Sequence, residues 1–115
     1  METIFISGKI TGLSREEASN NFYNAEIKLK ELGHECFNPI RIADRYGWNL
    51  DYAFYMSKCL AELPYCDTIY MLKNWRNSKG SKIEYMVARE LGLNIMYEEE
   101  IPLGGYKPLD DAMTC

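Results

Sequence analysis

A chain of 115 residues with 47% hydrophobic and 26% charged content has the size and balance of one soluble globular domain around a single core. A net charge of −4 and a pI near 5.0 argue against a DNA or RNA groove, which needs a clustered basic face; a small nucleotide can still be held by backbone amides and a few side chains. No apolar run approaches the roughly 20 residues of a membrane-spanning helix, so no membrane partner is expected.

The N-terminus, Met1 to Gly8, lacks a basic leader and a long apolar stretch, and it reads as a first strand of a cytoplasmic protein. Thr3-Ile-Phe-Ile-Ser7 is that strand, and Gly8-Lys-Ile-Thr-Gly12 is a glycine-flanked loop behind it. Ser14-Arg-Glu-Glu17 is a capping box, followed by Ala18, Phe22, Ala25, Leu29 and Leu32 at helical spacing, with Gly33 as the stop. Glu35 to Asn38 reads as a short strand ended by Pro39, and Ile40 to Asn49 as a loop with a helical turn, carrying Tyr46 and Trp48. A helix is expected from about Leu50 to Leu63, with Ala53, Met56, Leu60 and Leu63 on one stripe and Pro64 as its stop. Thr68 to Leu72 is the third strand, Lys82 to Leu91 a helix closed by Gly92, and Leu93 to Tyr97 the fourth strand. Glu98 to Glu100 reads as a solvated acidic run.

Strands alternating with helices predict an α/β fold, a three-layer α/β/α sandwich with a small, mainly parallel sheet of the flavodoxin or Rossmann type. Residues 1–97 form the expected single domain, and 98–115 a C-terminal tail that orders against a partner subunit. Cys36, Cys59, Cys66 and Cys115 show no CxxC pair and read as free thiols. No metal site and no cofactor are expected. In a parallel sheet the ligand sits at the carboxyl ends of the strands, which singles out two loops: Gly8 to Gly12 and Lys73 to Ser81.

Glu84 stands at the entry of the helix behind the second loop. Ser81-Lys-Ile-Glu84 fits a capping box, so a purely structural role is one reading. On the helical wheel Ile83, Met86, Val87 and Leu91 make the expected buried stripe. Glu84 lies on its flank, and Lys82, Tyr85 and Arg89 lie toward solvent. A carboxylate beside apolar neighbours at a ligand mouth is also a candidate nucleophile or acid/base group.

Three segments in order carry a resemblance: Ile4-Phe-Ile-Ser-Gly8-Lys-Ile-Thr-Gly12, Cys66-Asp67-Thr-Ile-Tyr-Met-Leu72, and Ser78-Lys-Gly80-Ser81-Lys-Ile-Glu84 with Ala88 and Leu91-Gly92 behind it. Together they resemble the nucleoside 2-deoxyribosyltransferase-like superfamily, which includes 2'-deoxynucleoside 5'-monophosphate N-hydrolases and short phage- or prophage-borne relatives. The resemblance implies an enzyme that cleaves or transfers the N-glycosidic bond of a nucleoside or its 5'-monophosphate. Glu84 would be its nucleophile, attacking the anomeric carbon through an oxocarbenium-like transition state. It implies that Ser78 contacts a 5'-phosphate or the sugar 5'-oxygen, and that Gly8, Lys9, Ile10, Gly12 and Gly80 belong to the substrate site. It also implies a homodimer or higher homo-oligomer.

The sequence departs from the family pattern at Cys59, where many members carry an Asp on the preceding helix; a thiol is a weaker acceptor than a carboxylate. That keeps open a second reading, a non-catalytic protein that sequesters or senses a nucleotide. A third option is a small subunit with no small-molecule site. Cys59 beside an apolar stripe also suits a core thiol. Asp67 would touch the sugar or cap a turn, Trp75 would stack on a base or bury area, and Lys9 would pair with a phosphate or remain solvated. Tyr46 and Trp48 carry the stacking expectation more weakly.

Overall fold

A computed structural model describes residues 2–99. Four strands, Thr3–Ser7 (β1), Glu35–Phe37 (β2), Thr68–Met71 (β3) and Asn94–Tyr97 (β4), form one sheet in the order β2-β1-β3-β4, and each neighbouring pair is parallel. Helices Arg15–Glu31 (α1), Ile40–Tyr46 (α2), Tyr52–Glu62 (α3) and Lys79–Leu91 (α4) link them.

Strand alternation sorts the core into two halves. Ile4 and Ile6 of β1 and Tyr70 of β3 pack with Ala18, Phe22, Ala25 and Leu29 of α1. Phe5, Ile69 and Met71 point the other way, into a cluster with Cys59 of α3, Leu63, and Tyr85 and Ala88 of α4. With helices on both faces, β3 is buried throughout and β1 from Ile4 onward, as a parallel sheet requires. The α/β/α sandwich expected from the alternation of elements is therefore the observed fold. Among the described residues, no helix is long and apolar enough to cross a membrane.

Local differences have identifiable causes. Residues 40–46 form a helix, where a loop with one turn is expected, because Ile40, Ile42 and Ala43 are buried and a polar cluster pins the start. Asn38 Oδ1 accepts the Ile40 N–H (3.0 Å), and Asn38 Nδ2 donates to Glu26 Oε1 (3.0 Å). Glu26, itself buried, also receives Arg41 Nη1 at 2.8 Å and Lys30 Nζ at 2.9 Å. Burial would raise the Glu26 carboxyl, but hydrogen bonds from Arg41, Asn38 and Lys30 outweigh it and hold it at about 2. In α3 the buried residues are Met56 and Cys59, and Ala53 is exposed.

Two further expectations change. The cap of α4 is Ser78, whose Oγ accepts the Ser81 N–H (3.1 Å), so the helix starts three residues earlier than expected and Glu84 is not its capping partner. Glu98 is not free in solvent, since its carboxylate accepts the Lys73 N–H at 2.8 Å. The expected tail lies, past Glu99, outside the described residues.

Candidate active site

The crossover from β1 leads to β2 on one side and that from β3 leads to β4 on the other. The loops behind these adjacent strands therefore part at the carboxyl edge of the sheet, the usual ligand position in such folds. Two contacts fix the loops: Lys9 N–H donates to Asn74 Oδ1 (3.0 Å) and Leu72 N–H to the Ser7 carbonyl (2.8 Å). A cavity of about 470 Å³ opens between them, a size suited to a small ligand. Its walls are the Gly8–Thr11 loop, the segment carrying Trp48, Tyr52, Tyr55 and Met56, and the first turns of α4 with Glu84.

Glu84 lines this cavity and is 4% exposed. On α4 the buried positions are Ser81, Glu84, Tyr85 and Ala88, spaced i, i+3, i+4 and i+7. This corrects the expected stripe: Met86 and Leu91 are about half exposed, and Tyr85 is buried in the core against Trp75, with its hydroxyl 3.3 Å from that of Tyr97. Glu84 Oε1 accepts a hydrogen bond from Ser7 Oγ at 2.6 Å. The Cys59 thiol donates a second one to the same carboxylate and accepts one from the Tyr55 hydroxyl. Burial pushes the Glu84 carboxyl up to about 7, and the bonds from Ser7 and Cys59 limit the rise. Burial, and then the neighbouring Glu84 charge, push the Cys59 thiol far above its ordinary range, so it stays a neutral donor.

Of the residues expected at the site, Gly8, Lys9, Ile10, Ser78, Gly80 and Glu84 line the cavity. Gly8 has a packing reason as well: a Cβ there would stand 2.5 Å from Leu72 Cδ1. Gly12 sits in the same loop at φ +91°, outside the cavity wall. Asp67 belongs to the opposite edge of the sheet, where its Oδ2 accepts the Thr3 N–H (2.9 Å) and joins the starts of β1 and β3. Trp75 is not at the cavity either. It is 2% exposed, with its ring 4.7 Å from Tyr85 and 6.2 Å from Tyr97, because the turn after β3 folds its indole onto the α4 side of the core. Tyr46 is half exposed against Phe54, also off the cavity wall. Trp48 is the tryptophan that lines the site, braced by Asp44 Oδ1 (3.2 Å) and by the Arg15 guanidinium 5.1 Å from its ring.

Ser7, Ser81, Tyr52 and Tyr55 are the residues that sequence reasoning missed. Parity in β1 was the available signal for Ser7, since it shares a strand face with Phe5, the face that α4 covers. Ser81, expected to cap, instead has a buried Oγ with no hydrogen-bond partner, and it lines the cavity. Among the described residues no cluster of three or more His, Cys, Asp or Glu side chains is arranged to hold a metal ion. Cys36, Cys59 and Cys66 are free thiols.

The parallel α/β/α sandwich is a fold found in a solved 2-deoxyribosyltransferase. The solved structure of a 2-deoxyribosyltransferase from Bacillus psychrosaccharolyticus superposes with a TM-score of 0.65 over 96% of this chain and 89% of that one, at 18% identity. Residues 2–97 match the family described as a domain of unknown function, DUF4406, and the chain belongs to that family. No curated protein matches it.

Proposed function

We propose that the protein cleaves or transfers the N-glycosidic bond of a nucleoside or its 5'-monophosphate, with Glu84 as the nucleophile. The observation that carries this reading is the buried Glu84 carboxylate, held by Ser7 Oγ at 2.6 Å and facing the cavity. The carboxylate would attack the anomeric carbon as the base departs, giving a glycosyl ester that water or a second base resolves. The two donors on Glu84 fix its orientation and support its ionised form, while burial keeps it poorly solvated and reactive. Ser78, Ser81 and the N-terminus of α4 suit a 5'-phosphate or 5'-hydroxyl, because unpaired N–H groups and the helix dipole meet there. Trp48, Tyr52 and Tyr55 supply flat apolar surface for the base.

The fold shared with a 2-deoxyribosyltransferase supports the reading. Incubation with N-glycosides of differing base, as nucleosides and as monophosphates, with and without acceptor bases, should release or exchange the base. If Glu84→Gln leaves that rate unchanged, or if nothing in the panel reacts, the assignment is wrong. A non-catalytic binding protein is the rival that the buried Cys59 thiol beside Glu84 favours. It predicts a ligand bound by calorimetry and recovered intact.

A further inference from the structure

The protons around Glu84 are directed one way. Tyr55 donates to Cys59, Cys59 donates to Glu84, and Ser7 Oγ donates to Glu84 Oε1 at 2.6 Å. This arrangement favours a carboxylate ready to attack, and it commits the Ser7 and Cys59 protons to that carboxylate and not to a departing base. Among the described residues that line the cavity, Glu84 is the single carboxylate. A neutral purine or pyrimidine leaves as an anion unless it is protonated, whereas a quaternary pyridinium nitrogen leaves as a neutral ring and takes no proton.

The rest of the cavity suits such a cation. Trp48, Tyr52 and Tyr55 line it, and electron-rich ring faces beside a buried carboxylate attract a flat organic cation. Two of these rings already lie near cations, Trp48 at 5.1 Å from the Arg15 guanidinium and Tyr52 at 5.5 Å from Lys79 Nζ. The α4 end has the opposite preference: Ser78, Ser81 and the helix N-terminus line the cavity there, and the buried Ser81 Oγ has no hydrogen-bond partner. A ligand with a cationic ring at one end and a phosphate at the other matches both.

Building on the glycosidase reading above, we propose that the substrate is a pyridinium ribonucleotide or deoxyribonucleotide, a cationic N-glycoside bearing a 5'-phosphate. The Glu84 carboxylate forms a bond to the anomeric carbon as the carbon–nitrogen bond breaks. The electron pair of that bond goes to the ring nitrogen, so carboxylate and pyridinium become a neutral ester and a neutral pyridine. Water then attacks the anomeric carbon, the ester oxygen takes its electron pair back as the Glu84 carboxylate, and one proton passes to solvent.

The test compares nicotinamide mononucleotide with AMP, which share ribose 5-phosphate and differ in leaving group, and adds dAMP. Base release by the purified wild-type protein is followed by chromatography at pH 8 against the spontaneous rate of each compound. Nicotinamide release should exceed adenine release from either adenine nucleotide by at least about 100-fold, the lower end of what a general acid would otherwise supply. Glu84→Gln, checked for folding by thermal melting, should abolish it. Adenine release within about 10-fold of nicotinamide release would overturn the pyridinium proposal and leave the glycosidase reading standing. No release from any of the three, together with none from the broader panel above, would overturn both.

Discussion

Replacing Glu84 by Gln should make the protein more stable at high pH while it removes activity. The Glu84 side chain is 4% exposed, and burial lifts its carboxyl to about 7 against an ordinary value of 4.5. The folded state therefore holds this proton more tightly than the unfolded chain does. The resulting stability is fully present below pH 4.5 and is lost as pH rises through 7. The gap between the two values corresponds to about 3 kcal/mol, the destabilisation carried by the ionised folded protein above pH 7. Gln keeps a carbonyl for Ser7 and has no charge to bury, although it disturbs the Cys59 bond at a cost of about 1 kcal/mol. The expected net gain at pH 8.5 is about 2 kcal/mol, or roughly 8 °C in Tm for a domain of this size, with no gain at pH 4. Thermal melts of both proteins across that range, run beside the base-release assay, would measure it. A Tm difference that does not change with pH, or a variant less stable at pH 8.5, would refute the account of Glu84 as a buried charge.

Three other outcomes follow from the same geometry. Ser7→Ala removes a hydrogen bond that lowers the Glu84 carboxyl, so the rising limb of the pH–rate profile, expected near pH 7 in the wild type, should move to higher pH; an unmoved limb would show that Glu84 is not the titrating group. Glu26, held at about 2, contributes stability that is present above pH 4.5 and lost as pH falls through 2. Arg41→Ala should therefore shift acid unfolding to higher pH, measured by circular dichroism between pH 1.5 and 5. Trp75→Phe should lower stability by about 1–3 kcal/mol in chemical denaturation through a cavity beside Tyr85, with KM unchanged; a raised KM would return Trp75 to the substrate site.

The fold was legible because its signals are local: apolar strands bounded by glycine, a capping box at Ser14, and Gly33 and Gly92 as stops. The capping reading of Ser81 failed because Ser78, three residues earlier, offers the same chemistry, and only the turn leading out of β3 decides between them. The face of α4 was misjudged for a related reason. The more apolar stripe through Ile83, Met86 and Leu91 has good helical spacing, but the side turned to the sheet is the one whose small and polar residues leave room for a cavity. Trp75 and Asp67 adjoin site-like motifs in sequence, yet one folds onto the core and the other sits at the far edge of the sheet. Ser7 and Tyr55 were hidden because they come from β1 and α3, and no spacing rule connects those elements to α4, whereas the family pattern had singled out Cys59.

The position of Glu84 also bears on why a carboxylate stands there at all. Capping does not account for it, since Ser78 supplies the cap and Glu84 lies in the second turn. Ion pairing does not account for it either, since the groups that raise or lower its titration are burial and two neutral donors. A charge that opposes folding by about 3 kcal/mol near neutral pH is a large fraction of a small domain's margin. Two side chains from separate elements aim their protons at it, which gives an ionised carboxylate more support than a merely tolerated core polar group would need. A structural role would be met as well by Gln, without the pH-dependent cost. Only a role that uses the negative charge distinguishes Glu from Gln at this position, and nucleophilic attack on an anomeric carbon is such a role.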